Sequence, residues 1–137
     1  MGDLTANFSR KEFACKCGCG LDNVSVPFVR KLQRARDKAC KRAGRTVRFS
    51  ISSGVRCKAR NLAEGGKKNS SHLPHVGPSD PLMTAHAADI KTASSRQRYY
   101  VLYGMMQVFD RIGDGDGFLH ADDDERKGAE VVWNYYR

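Results

Sequence analysis

The histidines His72, His75, His86 and His120 all fall in irregular sequence or beside a short alternating run, and Asp89 and Asp122 accompany them there. This is the composition of a metal site. Catalytic zinc takes three protein ligands from His and carboxylate, keeps a fourth position for water, and lowers the pKa of that water to about 7. The set His72, Asp89 and His120 meets that count. Its spacing matches neither the helical H-E-x-x-H nor a zinc finger. On composition alone, solvent-exposed histidines remain the alternative.

The order of short segments narrows the choice. Ser53-Gly54-Val55-Arg56-Cys57 is followed by Asn69-Ser70-Ser71-His72-Leu73, then His86-Ala87-Ala88-Asp89-Ile90, then Phe118-Leu119-His120-Ala121-Asp122. This order resembles the zinc peptidase family of D-alanyl-D-alanine carboxypeptidases and phage L-alanyl-D-glutamate endolysins, whose pattern is S-G-x-R, S-x-H-x-x-G-x-A-x-D and a later H-x-D or H-x-H strand. The opening Leu4 to Ser9 and the run Cys15-Lys16-Cys17-Gly18-Cys19-Gly20 resemble one small branch of it, so the likeness covers nearly the whole chain. The resemblance implies that His72, Asp89 and His120 ligate Zn2+ and that Arg56 approaches the substrate or the tetrahedral intermediate.

The chain departs from the pattern at two places. Pro74 to Thr84 lengthens the interval between His72 and Asp89, and Ala85 stands where the pattern has Gly. Either a loop is lengthened above the metal or His75 is the ligand; retention of Ser70-Ser71-His72-Leu73 favours His72. His86 then reads as a residue behind the ligands or in solvent. In several members a Glu stands three residues before the last His, and here that position is Gly117. Amide hydrolysis needs a group to take a proton from water and pass it to the leaving amine. Asp116 is the expected catalytic base, Asp114 is next, and a plain Gly-Asp turn is the competing reading of both. Asp122 is expected to orient His120 or its strand.

Cys15, Cys17, Cys19 and Cys57 admit three readings: free thiols, one disulfide, or a structural metal site. C-x-C-x-C is not the C-x-x-C pair of a zinc ribbon. A catalytic cysteine is disfavoured, because no His stands near one in a recognisable arrangement.

These residues need elements to hold them. Phe28, Leu32, Ala35 and Ala39 recur at helical spacing from about Pro27 to Ala43, with basic residues elsewhere on the wheel and Gly44 as the stop. Val47, Phe49 and Ile51 alternate with polar residues as in a half-buried strand. From Cys57 to about Thr84 no period is visible, which predicts a long functional loop. Ala87 to Ile90 begins a strand, and Ser94 or Ser95 caps a helix whose inner face is Tyr99, Leu102, Tyr103, Met106 and Phe109. Phe118–Asp122 and Val131–Tyr136 are short strands, and Ser9 with Glu12 forms a capping box for a short helix. The expected fold is α+β: a small antiparallel sheet packed by two or three helices, with the zinc site on strand ends and the long loop.

With 137 residues, 40% of them hydrophobic, the chain supports one core, and a single zinc peptidase-like domain over 1–137 is expected. No run is long and apolar enough to span a membrane, the polar start MGDLTANFSRKEF lacks the apolar run expected of a secretory leader, and Ala6 stands where myristoylation needs Ser or Thr. Synthesis in the cytoplasm as a soluble monomer and action at the bacterial cell wall are expected. Arrival there would be by phage lysis, in a tail particle or by separate export. The net charge of +9 is uneven: residues 1–68 hold 17 Lys and Arg against 5 acids, and residues 110–125 hold 7 acids. Such a field suits polyanions, and anionic wall polymers beside a peptidoglycan peptide substrate are preferred to nucleic acid. Two rival readings stand beside this one: a catalytically inactive zinc-binding wall-recognition module, and a basic nucleic-acid-binding protein.

Overall fold

A computed structural model describes residues 2–136; the outermost residues of the expected domain, Met1 and Arg137, lie outside them. A 3-10 turn over Arg10–Phe13 comes first, and the Ser9 N–H donates to the Glu12 carboxylate at 2.6 Å, the backward half of the expected capping box. Helix α1 spans Val26–Ala43. Pro27 lies in its first turn, the Ser25 side chain accepts from the Phe28 N–H, and Gly44 ends it at φ 69°. Its buried stripe includes Phe28, Leu32, Ala35 and Ala39, the face expected from spacing.

Five strands form the main sheet: β1 (Ser50–Ser53), β4 (Ala87–Lys91), β5 (Arg111–Asp114), β6 (Phe118–Asp122) and β7 (Val131–Asn134). Their order is β1-β4-β6-β5-β7. All neighbours run antiparallel except β5 and β7, so the expected α+β fold is present, its small antiparallel sheet made mixed by one parallel edge strand. A parallel pair cannot be closed by a hairpin, and here residues 115–130 travel out through β6 and return.

Strand alternation divides the chemistry from the core. Ala88 and Ile90 of β4, Leu119 and Ala121 of β6 and Ile112 of β5 join the hydrophobic core with α1 and helix α3 (Ser95–Val108). The intervening Asp89, His120, Asp122 and Gly113 therefore face the other side.

Three local expectations are corrected. The first strand begins at Ser50; Val47 and Phe49 are buried core residues ahead of it. The interval from Cys57 to Thr84 holds helix α2 (Lys58–Ala63) and a two-stranded hairpin of β2 (His75–Gly77) and β3 (Asp80–Thr84). The lengthened segment is that hairpin, and its alternation is faint because Val76, Leu82 and Met83 are exposed. The inner face of α3 is Val101, Gly104 and Met105, with Phe109 just beyond, and Tyr99 and Met106 are exposed. A Cβ on Gly104 would lie 2.2 Å from the Ala35 carbonyl oxygen, so the helices meet backbone to backbone there. Small residues set the contact, and Tyr103 lies against the Arg42 guanidinium instead.

Candidate functional site

The register aligns one residue from each strand in a single row. Ser53 pairs with Asp89, Asp89 with His120, His120 with Gly113, and Gly113 with Trp133. Paired residues project to the same face, which places Asp89 and His120 side by side.

His72 reaches this row from a loop pinned at both sides. The Arg56 N–H donates to the His72 carbonyl at 2.9 Å, and the His86 N–H to the Ser71 carbonyl at 3.1 Å. Ligand-type atoms of His72, Asp89 and His120 lie within 4.8 Å of one another, and all three residues are buried. His72 Nε2 stands 3.2 Å, and His120 Nδ1 2.9 Å, from Asp89 Oδ1.

The other imidazole nitrogens are held from behind. His72 Nδ1–H donates to the Gly54 carbonyl at 2.7 Å, which leaves a lone pair on Nε2. His120 Nε2–H donates to Asp122 Oδ2 at 2.6 Å, turning Nδ1 towards Asp89. Asp122 Oδ1 accepts from Arg111 Nε at 2.7 Å and from the Asp124 N–H at 3.1 Å. Arg56 donates to Ser53 Oγ at 2.9 Å, to Asn61 Oδ1 at 3.4 Å and to Asp89 Oδ2 at 3.2 Å, leaving Oδ1 to face the imidazoles.

The electrostatics follow this geometry. Burial pushes the His72 imidazole below its ordinary range, with the nearby His120 and Arg56 adding to the effect of burial. Burial acts the same way on His120, but its hydrogen bonds to Asp122 and Asp89 outweigh it and raise the group to about 9. Burial would raise Asp89, yet His72 and His120 hold it far below the usual carboxylate range. Two imidazoles and a carboxylate, backed by a second carboxylate, fit a cation such as Zn2+ that favours three such donors and an open fourth position.

Matching the chain to known families decides its relationship: the model described as Peptidase M15 covers residues 6–122. The chain belongs to the Peptidase M15 family. No curated protein and no solved structure matches it. Membership makes the chain one of a zinc-dependent metallopeptidase family, and the cluster His72, Asp89 and His120 is its candidate metal site.

In this M15 chain His75 lies outside the cluster. Its Nδ1–H donates to the Leu73 carbonyl at 2.9 Å, and its ring lies 5.1 Å from that of His86. His86 Nδ1–H donates to Asp123 at 2.8 Å, so His86 belongs to this second histidine pair. Arg56 is at the cluster, but its guanidinium holds Asp89 rather than standing open.

The structure places the expected base apart from the cluster. Asp116 occupies the exposed tip of the β5–β6 hairpin, where the Gly115 N–H donates to the Phe118 carbonyl. Asp116 stands four residues before His120, a span of up to about 13 Å at about 3.3 Å per extended residue. Asp114 forms an ion pair with Arg98. Asp114 closes β5, paired with Leu119 and Asn134, and of the two only Asp116 lies in the turn.

Trp133 and Tyr135 were not legible as site residues. The Trp133 ring lies 5.4 Å from that of His120 and beneath the Arg111 guanidinium. A Cβ on Gly113 would meet Tyr135 at 2.8 Å and Trp133 at 2.9 Å, so the missing side chain makes their room. Desolvation, with the Asp89 and Asp122 charges, pushes the Tyr135 phenol up to about 12. The available signal was Trp133 in an alternating strand after a glycine-rich hairpin, but nothing in it announces a parallel return beside β5. No helix among the described residues is long and apolar enough to cross a membrane.

Proposed function

We propose that this chain hydrolyses an amide bond in the peptide stem of peptidoglycan, as a carboxypeptidase of D-alanyl-D-alanine or an endopeptidase of L-alanyl-D-glutamate type, and that it is a phage endolysin acting at the bacterial cell wall. One observation carries the reading: His72 Nε2, Asp89 Oδ1 and His120 Nδ1 converge, with both remaining imidazole nitrogens held by acceptors. When bound by these three residues, zinc supplies Lewis-acid polarisation of a carbonyl and acidification of water.

The chain's own groups do the rest. The Gly54 carbonyl and Asp122 fix the imidazole tautomers, and Arg56 holds the outer oxygen of Asp89 while setting a positive charge beside the cluster. That charge lowers the energy of negative charge developing at the scissile carbonyl. Tyr135, its ring against that of Trp133, adds a phenol beside this face of the sheet. A cavity of about 390 Å³ lined by Lys58, Asn61, Leu62, Gly66, Lys68 and Leu73 adjoins Arg56 through Asn61. Its two lysines and apolar floor suit an acidic wall peptide, and the basic remainder suits anionic wall polymers. The catalytic domain in this reading is the whole of 1–137, working as a monomer.

A second reading, a zinc-binding wall-recognition module without catalysis, is favoured by one feature. Gly117 replaces the expected Glu, and the carboxylates touching the cluster, Asp89 and Asp122, are already engaged. Digestion of peptidoglycans of several chemotypes, followed by mass spectrometry of released peptides, separates the two. New termini at one peptide bond support the hydrolase; binding without new termini supports the module.

A further inference from the structure

A second cluster of metal-binding side chains lies at the N-terminal end of the chain. Sγ atoms of Cys15, Cys17, Cys19 and Cys57 all lie within 4.8 Å of one another. Cys15 and Cys17 are 3.4 Å apart, and Cys17 and Cys57 are 3.6 Å apart. All five cysteines are free thiols, so no disulfide accounts for the convergence. Tetrahedral zinc with Zn–S bonds of about 2.3 Å sets its sulfurs about 3.8 Å apart, close to these separations.

The backbone is shaped for the same end. In an extended chain the three thiols of C-x-C-x-C would stand in a row about 6.6 Å apart, too far apart to meet at one ion. Gly18 at φ 84° and Gly20 at φ 86° supply the left-handed turns that fold the segment back on itself. The Cys57 N–H donates to Cys15 Sγ and the Arg60 N–H to Cys57 Sγ, each at 3.4 Å, bonds that strengthen when sulfur carries thiolate charge.

We propose that Cys15, Cys17, Cys19 and Cys57 bind a structural zinc ion, separate from the His72–Asp89–His120 site. The four thiols give up their protons on binding, and the closed set of ligands leaves no position for substrate. The ion ties residues 15–19 to the loop 53–57. The Val55 N–H already donates to the Phe13 carbonyl at 2.8 Å there, and a Cβ on Gly54 would lie 2.8 Å from Phe13 Cα. This loop carries the Gly54 carbonyl that orients His72 and the Arg56 guanidinium that holds Asp89. The thiolate site thus anchors the loop from which the candidate active site is positioned.

The test is cobalt substitution and zinc counting on the full chain, purified under reducing conditions. Cobalt-loaded wild type is expected to show the near-ultraviolet thiolate-to-cobalt charge-transfer band. That band should persist in the double variant His72→Ala/His120→Ala and vanish in Cys17→Ser/Cys19→Ser. Zinc-loaded wild type should hold two equivalents, each double variant one, and only Cys40 should react promptly with a thiol reagent. If the cysteine variant fails to fold, the wild-type cobalt spectrum and thiol reactivity still decide. Absence of the charge-transfer band, or prompt reaction of all five thiols in zinc-loaded wild type, overturns the proposal. Because these readouts do not use wall hydrolysis, the thiolate site can fail while the hydrolase reading stands, and the reverse.

Discussion

Asp89 of β4 stands directly opposite His120 of β6, and the same His120 holds Asp122, two residues farther along its own strand, through its other ring nitrogen. The sheet register thus threads one imidazole between two carboxylates, the inner one facing His72 and the outer one anchored by Arg111. Metal affinity should depend on both carboxylates, although only one can touch the ion.

Asp122→Asn is expected to keep the fold and weaken zinc binding at the histidine site by about 10–100-fold, the scale seen when a carboxylate behind a ligating histidine is lost. Competition against a chromophoric chelator measures it, best in the Cys17→Ser/Cys19→Ser background. Unchanged affinity would remove Asp122 from the site.

Asp116→Asn is expected to change wall hydrolysis and stability by no more than about twofold, the range of surface substitutions. Its side chain is exposed at a hairpin tip. A loss of 100-fold or more, as when an acid-base catalyst is removed, would restore Asp116 to the mechanism.

Arg56→Lys should cost at least about tenfold in zinc affinity or turnover with a smaller effect on folding. An ammonium cannot reproduce the planar fork that spans Ser53, Asn61 and Asp89. Comparing the chelator competition with the thermal midpoint separates the effects; equal, small changes in both would leave Arg56 a packing residue.

Gly113→Ala should destabilise the chain by about 1–3 kcal/mol, the cost of overpacking, because the added methyl must displace the Trp133 and Tyr135 rings. Denaturant unfolding reads the loss, and quenching of the single tryptophan reads the displacement. A neutral outcome would mean that β7 is not held tightly against β5.

The His86–Asp123 pair predicts a pH dependence of stability. Burial lowers His86, but Asp123 and Asp80 raise it above its ordinary 6.5, while His86 and Lys31 hold Asp123 below its ordinary 3.8 despite burial. The histidine contribution is complete below about pH 6.5 and fades as pH rises through the raised folded value. The aspartate contribution is complete above about pH 4 and fades as pH falls through the lowered folded value. His86→Gln should therefore destabilise more at about pH 5.5 than at about pH 8.5, measured by urea midpoints. An equal loss at both would leave packing as the cause.

Much of the site was legible because its residues sit in short ordered segments. Ser70-Ser71-His72-Leu73, Asp89 in an alternating strand and His120-Ala121-Asp122 could each be placed before the fold was known. Helix α1 was legible because a basic helix with one apolar stripe has a single way to bury it. The place of Asp116 at an exposed hairpin tip was not legible, because proximity in sequence along a strand is distance in space. The face of α3 was misjudged because bulk was taken as the sign of burial, whereas Gly104 sets the contact with Ala35. Trp133 and Tyr135 escaped because a parallel return strand is a long-range pairing that local alternation cannot register. The four cysteines Cys15, Cys17, Cys19 and Cys57 could be grouped from the sequence, but the choice among thiols, disulfide and metal could not be made, because it depends on how closely a loop remote in sequence brings the fourth sulfur to the other three.

The central claim is that His72, Asp89 and His120 hold the zinc on which hydrolysis of the wall peptide depends. The most direct measurement restores zinc stepwise to chelator-stripped wild type and His120→Ala and follows release of peptide ends from peptidoglycan by mass spectrometry. Wild type should recover cleavage at a single type of peptide bond as zinc is restored, and His120→Ala should stay inactive even though its thiolate site fills. Equal cleavage by His120→Ala, or cleavage by stripped wild type, would contradict the claim.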